Sequence, residues 1–415
     1  MRISIHTLGT RGDIQPYVAL GLGLKARGHE VRLTAPLQFQ AMAKGYGLDF
    51  AGLPGEFLDL IATPEGKAAL AKGKGFSGGL RLLKHIRPLM RDVLDGEWQS
   101  AREFAPDIMV AHPKSLATPH IAEKLAAPWI LASPLPGFTA TSAFPTPLLP
   151  FSSLGPLNRM SHSLATRSAS VLFGGLLREW RRAALGLSSG SPPLPMATVY
   201  AYSPHVLPRP ADWGSDVLVS GYWFLDHPDW HPDPDLAAFL GSGEPPVYIG
   251  FGSMPGLDPE RLTQICIEAL ERSGRRGLLA TGGGALVGAA TAPSIRTLSE
   301  APHDRLFPYV SAVVHHGGAG TTGAALRAGK PTAAFPFFGD QPFWARRIVS
   351  LGVGPLAPDI KHLSVALLTE AIIAMDDAAM KERASVLGRA IRGEDGVAAA
   401  IGFIEETCRR GRLGR

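Results

Sequence analysis

The segment best suited to chemistry is a pair of histidines followed by a run of glycines. It reads His-His-Gly-Gly-Ala-Gly-Thr-Thr over residues 315–322. The apolar run Ser311 to His315 predicts a strand before it, and Thr322 to Ala328 predicts a helix after it. Glycines let the backbone approach a ligand closely, and a helix start offers free N–H groups at a positive dipole end. The segment is therefore predicted to bind phosphate, the alternative being an ordinary glycine-rich turn.

Two other polar segments follow predicted strands in the same half of the chain. Gly-Phe-Gly-Ser over residues 250–253 repeats the strand-then-glycine pattern, and the Ser253 hydroxyl is a candidate donor to a phosphate oxygen. Asp340 and Gln341 stand at the start of a helix predicted over Gln341 to Leu351. A carboxylate beside a carboxamide can bind neighbouring hydroxyl groups, because the two offer complementary hydrogen bonding. Asp340 also fits the N-cap of that helix, and the two roles are compatible.

Two familiar nucleotide motifs are excluded. Residues 323–330 differ from a P-loop, because Ala324 stands where the first glycine belongs and Pro331 follows Lys330. The loop after the first predicted strand, residues 9–13, lacks the glycine spacing of the nicotinamide-dinucleotide fingerprint.

The elements that must position these residues alternate between strands and helices. Apolar runs predict strands over residues 3–8, 30–35, 107–111, 128–132, 246–251, 276–281, 311–315 and 331–336. Helical periodicity predicts helices over residues 15–27, 119–125, 159–184, 259–272, 322–328, 341–351 and much of 365–408. Strands that alternate with helices form parallel βαβ units. The predicted fold is therefore α/β, with two doubly wound Rossmann-like domains that face each other across a cleft.

Proline and aspartate concentrate in one stretch, which is predicted to join the two domains. Residues 227–235 read His-Pro-Asp-Trp-His-Pro-Asp-Pro-Asp, a composition that favours an extended, solvated linker. We assign an N-terminal domain to residues 1–220, the linker to 221–245 and a C-terminal domain to 246–390. A helical segment over residues 391–415 is expected to pack back on the N-terminal domain.

Composition excludes several other classes of protein. The 415 residues are 45% hydrophobic and 19% charged, which suits two folded domains and argues against disorder. The two cysteines, Cys266 and Cys408, are too few for a disulfide scaffold or a cysteine-rich zinc site. No apolar run reaches the roughly 18 residues of a membrane span, and the N-terminus lacks a secretory pattern. The sequence therefore predicts a cytoplasmic protein.

The net charge of +5 fits either an arginine-rich soluble protein or one that also contacts an anionic membrane surface. The membrane interpretation rests on a basic amphipathic segment and a basic tail. The basic residues are Lys72, Lys74, Arg81, Lys84, Arg87, Arg91, Arg409, Arg410 and Arg412. The apolar residues among the first six are Leu80, Leu82, Leu83, Ile86, Leu89 and Met90. No base-reading motif occurs, and the one Asp-x-Asp lies in the predicted linker, so neither nucleic acid nor metal is an expected partner.

Six motifs, taken in order, resemble the UDP-glycosyltransferase superfamily (glycosyltransferase family 1). They are Gly-Thr-Arg-Gly-Asp-Ile-Gln-Pro at 9–16, Gly-Tyr-Trp at 221–223, Gly-Phe-Gly-Ser at 250–253, Pro-His-Asp at 302–304, the histidine–glycine segment at 315–322 and Pro-Phe-Phe-Gly-Asp-Gln-Pro-Phe-Trp at 336–344. The nearest branch comprises the sterol 3-beta-glucosyltransferases and related bacterial natural-product glycosyltransferases. The resemblance implies the GT-B fold, with the acceptor in the N-terminal domain and the nucleotide sugar in the C-terminal domain.

The resemblance also implies a donor site, carried over position by position. The donor diphosphate would contact His315 and be cradled by Gly317, Gly318, Ala319, Gly320 and Thr321. Ser253 would assist at the phosphates, and His303 would contact the uracil region. Asp340 and Gln341 would hold the sugar hydroxyls. The acidic residue with which plant-type members contact the ribose falls at Gly323 here, which removes the usual basis for ribose recognition and strict UDP preference.

Transfer needs a base that takes the proton of the acceptor hydroxyl while the diphosphate leaves. Asp13 is the candidate, expected in the loop after the first strand, where plant-type members place histidine and the natural-product branch places aspartate. Burial that raises the pKa of this carboxyl would make it a better base. His112 stands where plant-type members keep an aspartate, so we hypothesise a swapped pair of Asp13 and His112. The alternative is that His112 is a bystander before Pro113.

Apolar side chains in the irregular segment 133–160 are candidates for the acceptor pocket. We assign Phe138, Phe144 and Leu148 to its wall, the alternative being that they anchor the loop to the core. The resulting prediction is an inverting, metal-independent hexosyltransferase that moves glucose or a related sugar from a UDP-sugar co-substrate to a sterol, triterpenoid, polyketide or similar lipophilic alcohol, with no further cofactor. The alternatives are a nucleotide-sugar epimerase on the same fold and a non-catalytic protein that binds lipid or nucleotide sugar.

Overall fold

A computed structural model describes residues 1–55, 76–188, 190–253, 258–288 and 293–413. These residues form two parallel sheets with helices packed around them. The predicted α/β class with two doubly wound domains is confirmed.

The first sheet has seven parallel strands in the order β3-β2-β1-β4-β5-β6-β7. Its strands are β1 (Arg2–His6), β2 (Glu30–Pro36), β3 (Asp49–Leu53), β4 (Ile108–Ala111), β5 (Trp129–Ser133), β6 (Ala197–Tyr200) and β7 (Val217–Val219). Every residue of β4 and β6 is buried, as expected of strands covered on both faces. Because β1 pairs with β4, the loops that follow these two strands meet at the carboxyl edge, where such sheets bind ligands.

The helices around the first sheet are α1 (Arg11–Ala26), α2 (Gln40–Gly45), α3 (Phe76–Phe104), α4 (Thr118–Leu125) and α5 (Asn158–Leu185). Helix α1 begins four residues earlier than its apolar periodicity predicts, so the expectation that Asp13 lies in a loop is wrong. The main-chain N–H of Thr10 donates to Oδ2 of Asp13 at 2.8 Å, half of a capping box. This polar start precedes the first apolar residue, Ile14, and therefore carries no hydrophobic signal.

The second sheet has five parallel strands in the order β10-β9-β8-β11-β12. Its strands are β8 (Val247–Gly250), β9 (Gly277–Ala280), β10 (Ile295–Leu298), β11 (Ala312–His315) and β12 (Thr332–Ala334). The helices that follow the first sheet along the chain are α6 (Pro234–Gly241), α7 (Pro259–Ser273), α8 (His303–Leu306), α9 (Ala319–Arg327), α10 (Gln341–Ser350), α11 (Val365–Ala374), α12 (Ala378–Arg392) and α13 (Gly396–Leu413). Here β8 pairs with β11, so the loops with Ser253 and with the glycine run share one edge.

The predicted linker, residues 221–245, is buried at its start and exposed in its proline-rich part. Tyr222, Trp223 and Leu225 are each less than a tenth exposed, and the Nε1–H of Trp223 donates to Oγ of Ser220 at 3.0 Å. Further along, α6 buries its apolar face against the second sheet. Between these two parts, residues 228, 229, 231 and 233–235 are exposed, as the proline and aspartate content predicts.

The last helix crosses back to the first domain. Apolar residues of α13 belong to the core of the first sheet and pack on α1. A Cβ atom on Gly23 of α1 would lie 2.5 Å from Cγ1 of Val397 and 2.7 Å from Cδ1 of Ile401, so glycine is needed for this close approach.

One hydrophobic cluster contains residues of both domains. Phe144, Tyr202 and Trp213 of the first domain share it with Phe343 and Trp344 of α10. The rings of Phe144 and Phe343 lie 5.8 Å apart. Exposed polar contacts flank this cluster: the Arg346 guanidinium donates to main-chain oxygens of Pro150 and Phe151 at 3.0 and 3.1 Å.

The basic segment expected to contact membranes lies largely outside the described residues. Lys72 and Lys74 are not described, nor are the side chains of residues 80–87. Of the described side chains, Met90 is buried, and Arg91 pairs with Asp95 at 3.0 Å. Of the helices that the structure describes, none has the length and apolarity to span a bilayer.

Candidate active site

The carboxyl edge of the first sheet brings together residues that are a hundred positions apart in sequence. The loop after β1 leads to Asp13, and the loop after β4 carries His112 and Lys114. Nε2 of His112 lies 3.3 Å from Oδ1 of Asp13, and Nζ of Lys114 lies 2.8 Å from Oδ2. The main-chain N–H and the hydroxyl of Thr10 also donate to Oδ2, at 2.8 and 3.2 Å. Asp13 and His112 therefore form the pair that was hypothesised, with Lys114 as a third member.

The proton position on His112 follows from a main-chain contact. The N–H of Lys114 donates to Nδ1 of His112 at 3.1 Å, so the neutral ring carries its proton on Nε2, which faces Asp13. Burial lowers the pKa of His112, and the neighbouring Asp13 opposes this shift without reversing it. The neutral ring orients the Asp13 carboxylate through an N–H group.

The pKa of Asp13 differs from the expectation that burial would raise it. Burial does raise the pKa of Asp13, but the Lys114 ammonium and the His112 contact outweigh it and hold the pKa well below its usual value. The pKa of Asp13 is therefore lowered, whereas burial was expected to raise it. Lys114 was not predicted as a counter-ion, because its partner Asp13 lies just after the neighbouring strand, β1.

Gly9 makes room for this arrangement. Its φ is +132°, in a region that side chains rarely adopt. A Cβ on Gly9 would lie 2.1 Å from Oδ2 of Asp13 and 2.8 Å from Nζ of Lys114. The carboxylate and the ammonium therefore occupy the space that any other residue at position 9 would fill.

A buried hydrogen-bond network lies beneath the loop that follows β4. Glu97 of α3 accepts a hydrogen bond from the Ser115 hydroxyl, and its Oε1 lies 3.1 Å from Nδ1 of His6 at the end of β1. The Ser115 hydroxyl lies 2.7 Å from that of Thr118, where α4 begins. The side chains of Glu97 and His6 are fully buried. The network joins β1, α3 and α4, and thereby fixes the loop that carries His112 and Lys114.

In the second domain, β11 ends at His315, whose ring is buried. The N–H of Gly317 donates to Nδ1 of His315 at 2.9 Å, so the proton lies on Nε2. Nε2 has no hydrogen-bond partner among the described residues. Burial lowers the pKa of His315 well below its usual value, with the neighbouring histidines adding to the effect. A buried N–H without an acceptor is costly, and its position at the glycine run points to a ligand oxygen.

Two more buried polar atoms near the glycine run have no partner in the described part of the chain: Oγ1 of Thr322 and Nδ1 of His316. A Cβ on Gly318 would lie 2.6 Å from Nε2 of His316, and one on Gly252 would lie 3.4 Å from its Cε1. His316 is therefore placed between the start of α9 and the loop after β8, in which Ser253 is exposed.

The glycine run turns the chain into α9, which begins three residues earlier than predicted. Gly317 has a φ of +89°, and a Cβ there would lie 3.0 Å from the main-chain oxygen of Gln341. The N–H groups of residues 319–321 fall in the first helical turn, where no intrahelical acceptor is available. A Cβ on Gly320 would meet no atom within 4 Å, so this side of the helix start is open. These features suit an anionic group.

Asp340 and Gln341 lie beside that helix start. Asp340 is the N-cap residue of α10, as predicted, but its side chain makes no capping hydrogen bond, because its own backbone is already helical and its Oδ2 accepts from Nε1 of Trp344 at 2.9 Å. Burial raises the pKa of Asp340, with the Asp13 charge across the cleft acting in the same direction. Gln341 holds the preceding loop, since its Oε1 accepts from the N–H groups of Phe337 and Phe338 at 2.8 and 3.3 Å.

His303 and Gly323 are the positions that the resemblance connects with recognition of the nucleotide. The His303 ring stacks on Phe307 at 4.4 Å between centroids, and burial lowers its pKa to about 4, helped by the charge of Arg11. A Cβ on Gly323 would lie 2.7 Å from the ring of Tyr222. Tyr222 therefore occupies the space into which the acidic residue of plant-type relatives would extend.

The three residues assigned to the acceptor pocket have different environments. Phe144 is buried in the cluster between the domains, which favours the anchoring alternative for this residue. Phe138 is partly exposed, and its N–H donates to the hydroxyl of Tyr200 at 3.2 Å. Leu148 is 45% exposed.

The residues around Asp13 in the first domain and those around Asp340 in the second domain face each other across a cleft. Both Asp13 and Lys114 act electrostatically on Asp340. Arg11 of α1 and Glu300, which follows β10, form an ion pair of 3.0 Å between the domains. Among the described residues, no group of three or more His, Cys, Asp or Glu side chains is arranged to hold a metal ion.

Comparisons with known proteins show which family the chain resembles. Residues 3–145 match the glycosyltransferase family 28 N-terminal domain, and residues 284–394 match the erythromycin biosynthesis protein CIII-like C-terminal domain. The chain is 36% identical to the sterol 3-beta-glucosyltransferases UGT80A2 and UGT80B1 of Arabidopsis thaliana, in each case over 97% of its own length. The chain belongs to the sterol 3-beta-glucosyltransferase family of glycosyltransferases. It spans 64% and 67% of these two relatives.

Solved structures support the fold of this glycosyltransferase. The calicheamicin glycosyltransferase CalG4 superposes with a TM-score of 0.74 at 18% identity, covering 99% of this chain and 98% of that one. The Streptomyces glycosyltransferase SsfS6, complexed with thymidine diphosphate, superposes with a TM-score of 0.63 at 20% identity, over 98% and 99%. The predicted GT-B architecture is confirmed.

Sequence reasoning missed several residues that the fold brings to the cleft. Lys114 stands two positions after His112 in the same loop, and this proximity is the one signal that could have drawn attention to it. Arg11 lies inside the motif that contains Asp13. Glu97 and His6 carried no signal, because they meet only through the packing of α3 against β1.

Proposed function

We propose that this glycosyltransferase moves a hexose, with glucose as the first candidate, from a UDP-sugar to the hydroxyl of a lipophilic alcohol such as a sterol, triterpenoid or polyketide. The reaction inverts the anomeric carbon and uses no metal. One observation carries the proposal: an aspartate paired with a neutral histidine faces, across a cleft, a helix start that has unpartnered buried polar groups.

The donor half of the proposal rests on the start of α9. The Nε2–H of His315 and the N–H groups of residues 319–321 are donors that suit a diphosphate. A diphosphate of the thymidine series is bound by SsfS6, whose fold is similar. Donors fixed in advance stabilise the charge that develops on the leaving group, usually the largest catalytic contribution of this kind.

The acceptor half rests on Asp13. The proton of the acceptor hydroxyl passes to the Asp13 carboxylate as the new bond to the anomeric carbon forms and the bond to the diphosphate breaks. His112 orients the carboxylate through Nε2–H. Attack from the face opposite the leaving group gives inversion. The choice of glucose and of a sterol-like acceptor follows the names of the Arabidopsis relatives.

The experiment is mass spectrometry of products formed from UDP-glucose, other nucleotide sugars and a panel of hydrophobic alcohols. We expect an acceptor that gains one hexose, and Asp13→Asn should form this product about 100-fold or more slowly while UDP binding persists. Conversion of the donor without any acceptor would favour the epimerase instead. Donor binding with no turnover on any alcohol would favour the non-catalytic alternative.

Peripheral membrane contact is a separate part of the proposal. The net charge of +5 and the basic residues of α13 favour attraction to anionic lipid, and a lipophilic acceptor resides in membranes. Sedimentation with phosphatidylserine vesicles should show binding that weakens as salt rises, because surface charge is screened. No binding at low salt would contradict this part alone.

A further inference from the structure

The proposed base, Asp13, is paired with the ammonium of Lys114, which has no role in the reaction as proposed above. Nζ of Lys114 lies 2.8 Å from Oδ2 of Asp13, and its side chain is 54% exposed, against 17% for Asp13. Within the described residues, Asp13 is the one hydrogen-bond partner of this ammonium. Lys114 is thus half in solvent, with a single short contact, on a flexible four-carbon stem.

This pairing opposes catalysis by Asp13. Oδ2 accepts hydrogen bonds from the ammonium and from Thr10, while Oδ1 faces the Nε2–H of His112. A carboxylate that is so well satisfied has little affinity for another proton, and base catalysis becomes less effective as the pKa of the base falls. Full activity of Asp13 therefore requires the ammonium to move away.

An anion across the cleft can draw it away. The ion pair of Arg11 and Glu300, at 3.0 Å, joins the start of α1 to the second domain, and Lys114 acts electrostatically on Asp340 of that domain. The cleft wall at Asp340 adjoins the helix start, because a Cβ on Gly317 would lie 3.0 Å from the main-chain oxygen of Gln341. The ammonium and the proposed diphosphate site therefore share one neighbourhood.

The leaving diphosphate also needs a positive charge. Burial keeps the rings of His303, His315 and His316 neutral by lowering their pKa, so the donor-side histidines supply dipoles and no charge. Arg11, the other cation described at this edge, is engaged with Glu300 at 3.0 Å.

We infer that Lys114 exchanges partners during the cycle, pairing with Asp13 in the free enzyme and with the donor diphosphate once the nucleotide sugar is bound. The inference rests on the proposed function and names a further catalytic residue for it. In the transfer the acceptor O–H bond breaks and its proton goes to Asp13. The oxygen bonds to the anomeric carbon, and the electron pair of the broken carbon–oxygen bond leaves on the diphosphate beside Lys114. Donor binding thereby frees the base.

The test is a cycle of UDP affinities measured by calorimetry on the wild type, Asp13→Asn, Lys114→Met and the double variant. Asparagine does not hold the ammonium, so Asp13→Asn should bind UDP more tightly than the wild type. When Asp13→Asn is introduced into the Lys114→Met variant, the gain in UDP affinity should be smaller by about three-fold or more, because the ammonium that would move to the diphosphate is missing. This comparison removes the general effect of deleting one negative charge from the cleft.

Two further variants sharpen the cycle. Lys114→Arg keeps the charge and should restore most of the tightening. Lys124→Met removes an exposed lysine from α4, two turns beyond the loop, and should leave every affinity unchanged. Equal tightening in both backgrounds, or no loss of UDP affinity when Lys114 is removed from Asp13→Asn, would overturn the exchange while leaving the transfer reaction intact. Failure of the wild type to bind UDP would overturn the donor site and the exchange together.

Discussion

Replacing Gly9 by alanine should disable transfer through a single methyl group. The new Cβ would lie 2.1 Å from Oδ2 of Asp13, whereas carbon and oxygen approach no closer than about 3.2 Å without repulsion. The carboxylate must therefore retreat by about 1 Å. A displacement of about 1 Å at a reacting group can lower the rate by about 100-fold. The φ of +132° adds backbone strain of about 1 to 3 kcal/mol, whichever way the side chain moves.

The assay separates chemistry from binding and from folding. Steady-state kinetics should show kcat/KM reduced by about 100-fold or more in Gly9→Ala, with UDP affinity within a few-fold of the wild type, because His315 and the start of α9 are untouched. Gly12→Ala is the matched control, since Gly12 lies three residues further along the chain, in the first turn of α1, and a Cβ there would meet no atom within 4 Å. It should retain full activity. A folded Gly9→Ala enzyme with wild-type turnover would refute the placement of Asp13 against Gly9.

Three further predictions follow from the same contacts. Asp13→Asn retains an acceptor for the Thr10 N–H, so it should fold normally, bind UDP and lose about 100-fold or more in kcat; unchanged turnover would remove Asp13 from the mechanism. Glu97→Ala leaves the buried His6 and Ser115 side chains without their hydrogen-bond acceptor, so it should lower the free energy of unfolding by about 3 kcal/mol in urea titrations. A loss below about 0.5 kcal/mol would contradict the network. Burial lowers the pKa of His303 to about 4, so between pH 6.5 and 4 the unfolded chain binds a proton that the folded chain resists, and stability must fall as the pH falls. His303→Gln should therefore gain stability relative to the wild type across that window, and a difference that does not vary with pH would contradict it.

The elements and the donor segment were largely predictable from the sequence. Buried parallel strands are short apolar runs, so eight of the twelve described strands were predicted, whereas β3, β6, β7 and β10 were missed. The histidine–glycine segment was predictable because strand, glycines and helix are contiguous. The boundary of α1 was missed because its first turn is held by Thr10 and Asp13, and a polar capping box leaves no apolar pattern.

The electrostatics of the site could not be predicted in the same way. Asp13 and Lys114 are 101 positions apart, and their contact depends on β1 pairing with β4. The prediction of a raised Asp13 pKa considered burial alone and omitted this cation, so it had the wrong sign. The buried start of the predicted linker was missed for a related reason, since composition records the prolines from Pro228 onwards and not the burial of Tyr222 and Trp223 before them.

The central claim is that a diphosphate binds at the start of α9 and faces Asp13 across the cleft. A crystal structure of the complex with UDP tests it most directly. We expect phosphate oxygens within hydrogen-bond distance of Nε2 of His315 and of the N–H groups of residues 319–321, with the uracil ring near His303. A diphosphate bound at any other place, with Nε2 of His315 still unpartnered, would contradict it.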